Sequence, residues 1–143
     1  MEQFLALALV TATCYGGYYF FVGIASQGIH RILGAVILQV VAALIGIILL
    51  IFLKYNGTHF NATRHGFFFA CAAGVAVGLA EITSFVLYSR GAPVTFGTPI
   101  IVGVSALVAG ILGVLFLKES LNIVQVLGAL LVIAGAVIMT VAK

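Results

Sequence analysis

Glu81 is the residue with the clearest chemical meaning in this chain. Only three side chains are acidic, and this one lies inside Phe67–Tyr88, which reads FFFACAAGVAVGLAEITSFVLY. A carboxylate at bilayer depth costs about 2.5–3.5 kcal/mol on insertion scales, so it faces a bundle interior or a wet cavity. There it can bind a proton, a cationic substrate, or each in turn. Its helical neighbours sharpen this. Gly78, Gly74 and Ala70 precede it on one face, and Ser84 and Tyr88 follow at i+3 and i+7. The face is small-residued at one end and polar at the other. A purely structural reading stays open beside the functional one: a neutral acid hydrogen-bonded across helices.

Further polar side chains fall in other apolar runs. Thr13–Phe21 reads TCYGGYYFF and crowds Tyr15, Tyr18 and Tyr19 into one arc. Tyrosines usually sit in the interfacial belt, whereas these lie nearer mid-span. Tyr15 and one of Tyr18 and Tyr19 are candidates to line a cavity, with simple packing as the alternative. Their ring faces would suit an organic cation. Thr98, Val102, Ser105, Ala109 and Gly113 approximate one helical face, and Thr98 and Ser105 could supply hydrogen bonds. Arg90 lies in the turn Ser89-Arg90-Gly91-Ala92-Pro93, as an interfacial anchor that snorkels into headgroups or as a charge at a cavity mouth. Gln39, alone in its run, is placed to hydrogen-bond a neighbouring helix. Gly74 and Gly78, and Gly128 and Gly135, are spaced for close helix contacts.

Other chemistry finds no residues to perform it. Cys14 and Cys71 fall in apolar runs without a CxxC or Cys/His cluster, and His59 and His65 lack ligand-spaced partners, so no metal site and no cofactor is expected. No nucleophile–base pair or phosphate loop is visible, so an enzyme is not expected. The six basic residues are scattered, with no basic stripe, which argues against nucleic-acid binding.

The elements that carry these residues follow from composition. The 143 residues are 64% hydrophobic and 6% charged, with a mean hydropathy of +1.36. Soluble domains carry roughly 25% charged residues, so the chain reads as an all-α polytopic membrane protein. Five spans emerge, at 4–26, 32–53, 67–88, 94–117 and 123–142, forming one transmembrane domain. All are helical, because open strands cannot satisfy their backbone in lipid. The N-terminus lacks a basic region and is not read as a cleaved signal peptide. The longest loop, KYNGTHFNATRHG (Lys54–Gly66), holds two formal glycosylation sequons, at Asn56 and Asn61, both read as chance. Five spans put Lys54, Arg64 and Lys118 on one side, and Arg31, Arg90 and Lys143 on the other. Orientation normally follows a Lys/Arg excess, and here there is none.

Longer stretches resemble a known family. LKESLNIVQVLGALLVIAGAVIMT (Leu117–Thr140) is similar to the closing segment of the EamA-type branch of the drug/metabolite transporter superfamily. FVLYSRGAPVTFGTPI (Phe85–Ile100) resembles that family's third-helix end, turn and fourth-helix start, including Thr98-Pro99, and ATCYGGYYF resembles its first helix more weakly. Tyr15 stands where a tryptophan would be expected, and a lysine often found later in that helix is missing.

The resemblance implies one five-helix repeat of a ten-helix inverted-repeat architecture, with first, third and fourth helices around a central substrate cavity. Shorter members of the superfamily, including the four-helix small multidrug resistance proteins, supply the missing half by dimerising. Together with the even charge balance, this leads us to expect an antiparallel, dual-topology homodimer in the inner or plasma membrane. Its expected activity is alternating-access transport of a small-molecule substrate, a metabolite or drug, coupled to protons. A non-transporting membrane subunit, or one half of a heterodimeric transporter, is the alternative.

Overall fold

A computed structural model describes residues 2–120 and 122–141, and the described residues form five helices and no strand. They are α1 (Glu2–Gly28), α2 (Arg31–Tyr55), α3 (Arg64–Ser89), α4 (Val94–Leu117) and α5 (Ile123–Val141). The first four are 24 to 27 residues long and apolar enough to cross a membrane. α5, at 19 residues, is apolar and shorter. The protein is therefore an all-helical, polytopic membrane protein. α1 to α3 run one to three residues beyond the expected spans at their ends, because polar residues at bilayer level boundaries can still be helical.

The chain divides into two compact units, Met1–Gly91 and Ala92–Lys143. In the first, α3 is the middle helix and both α1 and α2 pack chiefly on it. Pairings fix the register. Tyr18 meets Glu81 and Gln27 meets Tyr88, so α1 and α3 run parallel. Gly34 meets Phe85 and Gln39 meets Gly78, so α2 runs antiparallel to α3. The end of α1, the start of α2 and the end of α3 therefore lie together.

That shared end is where the unit is tightly packed. Val22, Ser26, Gly34, Ala35, Ser84, Phe85 and Tyr88 are its buried residues, and all belong there. The cause is local: at Gly34 an added Cβ would collide with the Phe85 ring, with two ring atoms 2.9 Å away. Hydrogen alone lets the ring seat against the α2 backbone. Elsewhere large side chains such as Leu44, Ile48 and Ile51 are exposed. In lipid this carries no hydrophobic penalty, since the acyl tails are as apolar as leucine.

α3 begins at a side-chain cap: the Gly66 backbone N–H donates to the Thr63 hydroxyl at 3.1 Å. This is the threonine of the Asn61 sequon, so the residue has a structural role. At the other end the Gln27 amide donates to the Tyr88 carbonyl at 2.9 Å, satisfying a group in the last turn of α3.

The second unit is a helical hairpin. α4 contains Pro99, whose missing N–H removes one rung of the helix. α4 and α5 approach at Gly103, where a Cβ would lie 3.2 Å from Val132 Cγ1 and 3.8 Å from Ala136 Cβ. Gly128 and Gly135, expected to make a close helix contact, have nothing within 4 Å. Val132 and Ala136 are the α5 residues that meet Gly103.

Candidate functional site

The polar residues of the first unit converge on Glu81. α1 and α3 run parallel in a register that sets the Tyr18 phenol beside the carboxylate, and Tyr18 donates a hydrogen bond to Glu81 Oε2. Ser84, one turn further along α3, is buried at 7% exposure. Acid and phenol thus form one connected pair across the two helices. Charge-assisted bonds of this kind are shorter and stronger than neutral ones, which offsets part of the cost of holding a carboxylate in lipid.

Aromatic rings wall the group on one side. Tyr19 packs on Tyr18 with centroids 4.7 Å apart, and Tyr15 meets Tyr18 edge-on at 6.0 Å. Tyr15 is 55% exposed and forms the outer wall. Tyr19 is half-buried and close enough to feel both Glu81 and Tyr88 electrostatically. Tyr88 itself is fully buried. Glu81 and Tyr18 are each half-buried, so the pair is partly accessible.

Depth follows from helix geometry. Glu81 stands eight residues before Ser89 and seventeen after Arg64, which is about 12 Å and about 26 Å along the axis. The carboxylate is nearer the packed end of the unit. On α3 the polar residues Ser84 and Tyr88 lie towards that end, whereas Phe67–Ala80 towards the other carries no hydroxyl.

The remaining candidates are distributed more widely. Gln39 makes a long contact, its amide nitrogen 3.5 Å from the Gly78 carbonyl, and Gly78 is half-buried beneath it. Gly74 has nothing within 4 Å. Arg90 is the exposed C-cap of α3, and its backbone N–H donates to the Leu87 carbonyl at 3.2 Å. Thr98 and Ser105 belong to the second unit. Thr98 is half-buried, while Ser105 is exposed and donates to the Val102 carbonyl of its own helix at 3.0 Å.

Two participants were not singled out by spacing alone. Tyr18 takes the carboxylate, while Tyr19 packs on the Tyr18 ring. Gln27, one residue beyond the expected first span, lies within α1 and holds the end of α3. No group of three or more His, Cys, Asp or Glu among the described residues could hold a metal ion.

A family model described as the EamA-like transporter family matches residues 4–141. The chain belongs to this family. No curated protein and no solved structure matches it. Membership makes a transporter-like role in a membrane the coarse description of the protein, within the drug/metabolite transporter superfamily.

Proposed function

We propose that the chain is a secondary active transporter of a small organic metabolite or drug, working by alternating access with Glu81 as its proton-linked group. The observation that carries this reading is the Tyr18–Glu81 hydrogen bond. It holds the Glu81 carboxylate half-buried beside a cluster of tyrosine rings, where proton and cationic cargo would compete for the same oxygen atoms. Intramembrane acids of this kind mark substrate pathways and proton relays.

The rest of the reading is supported from other directions. Thr98 and Ser105 of α4 would supply hydrogen bonds to the substrate, as the family resemblance implies. All five helices would cross the inner or plasma membrane as one domain. The equal Lys/Arg count on the two sides removes the usual orientation signal, which favours insertion both ways and an antiparallel homodimer. The open space at Gly128 and Gly135 leaves α5 room for close approach by a second chain.

Glu81→Gln tests the carboxylate. It keeps shape and removes the charge. In proteoliposomes with an imposed pH gradient, the variant should express normally and lose gradient-driven uptake. Uptake equal to the parent protein would remove the carboxylate from the mechanism. Absence of uptake in both, across amines, amino acids, sugars and nucleosides, would favour a non-transporting membrane subunit.

A further inference from the structure

A second concavity in the first unit shares no residue with the Glu81 group. It is a groove of about 180 Å³ in the fork of the α1–α2 hairpin. Phe21, Val22 and Ala25 of α1 form one wall, Gly34 and Ile37 of α2 the other, and the Phe85 ring the floor. No lining side chain carries a hydrogen-bonding group. For scale, an apolar cavity of about 150 Å³ stays dry and takes a benzene ring. In a membrane-spanning unit, the medium that wets such a groove is hydrocarbon.

The end of the groove has the opposite character. Its lining includes Ile29 and Gly34, which bracket His30 and Arg31 at the hairpin bend. Both are exposed. Arg90 caps α3 at the same end of the unit, also exposed. Within the first unit the acidic residues lie elsewhere: Glu2 is at the start of α1, and Glu81 lies about 12 Å inward along α3 in a bond with Tyr18. The backbone adds to the imbalance. His30, the N-cap of α2, makes no side-chain cap, so the first N–H groups of that helix lack one. Such groups favour phosphate oxygens.

We infer that this end of the unit binds one anionic phospholipid, with an acyl chain in the groove and its phosphate held by Arg31 and Arg90. The apolar fork selects hydrocarbon, and the two arginines select a net negative headgroup over a zwitterionic one. A bound chain would brace α1 against α2, which otherwise touch each other little and pack on α3.

The test uses the purified full chain in a mild detergent, with thermal unfolding followed as phosphatidylglycerol or phosphatidylcholine of identical chains is added. Phosphatidylglycerol should raise Tm at lower concentration than phosphatidylcholine, and sn-glycerol 3-phosphate, which has no chain, should do nothing. R31Q and R90Q should each weaken the phosphatidylglycerol effect about fivefold, as expected from the worth of one basic residue near an anionic lipid surface. Ala25→Phe, which fills the groove, should abolish stabilisation by either lipid; if it does not fold, Ile37→Phe replaces it. Equal response of the parent protein to the two lipids overturns the headgroup assignment, and so does an unchanged preference in the R31Q/R90Q double variant. Full stabilisation of a folded groove-filling variant overturns the groove. A Tm that rises with protein concentration and ignores lipid assigns the groove to a second copy, and likewise overturns the proposal.

Discussion

A phenol that donates to a half-buried carboxylate lowers the cost of the charge and also aims it. At Glu81 this partner is Tyr18. Tyr18→Phe keeps the ring against Tyr19 and removes only the donor. It should destabilise the protein by about 1–2 kcal/mol, in the range of interhelical hydrogen bonds in membranes, measured by unfolding in mixed micelles. It should also weaken binding of a cationic substrate less than Glu81→Gln does, because the charge remains; equal losses would make the phenol, not the acid, the binding group. Much of this site was legible in the sequence. Glu81, Ser84 and Tyr88 follow from i+3 and i+7 spacing on one helix. Which tyrosine meets the acid did not follow. Tyr18 and Tyr19 are one residue apart, and only the rotation of α1 against α3 separates donor from wall.

Helix contacts are decided by the smallest residues. Gly34 admits Phe85, which is 2% exposed. Gly34→Leu should therefore displace the ring and destabilise the first unit by about 1–3 kcal/mol, the usual cost of overpacking. In combination with Phe85→Ala the two losses should be clearly non-additive, since the pair is in direct contact; additivity would mean the helices do not meet there. At the start of α3, Thr63→Ala removes the cap on the Gly66 N–H and should cost about 1 kcal/mol, read as faster hydrogen exchange confined to the first turn of α3. Within the two units, Gly34 and Gly103 make tight approaches between helices, and spacing does not single them out. Spacing shows that a face is small. It does not show which face a neighbour uses.

For the molecule as a whole, the open question is which way round it inserts. In a five-span topology three basic residues would fall on each side, and the positive-inside signal would cancel. A C-terminal tag labelled from each side of intact cells should be reached from both. Reaction from one side only would refute the antiparallel homodimer. Adding two lysines after Gly91 should then drive most copies into one orientation and lower uptake, while co-expression with an oppositely biased chain should restore it.

Composition and hydropathy determined the class: with 6% charged residues and long apolar runs, lipid is the only solvent in which this chain can expose so much hydrocarbon. They also determined the helices, because backbone groups in lipid must be satisfied within the segment. Helical period alone put Glu81, Ser84 and Tyr88 on one face. Tertiary structure decided what that face meets. It brought Tyr18 to Glu81 across 63 residues of sequence, and it concentrated the packing at the end where α1, α2 and α3 converge. The reason is that association of helices in a bilayer depends on steric fit and a few polar contacts. Those are set by rotation and register between helices, and a one-dimensional pattern of apolar residues carries neither.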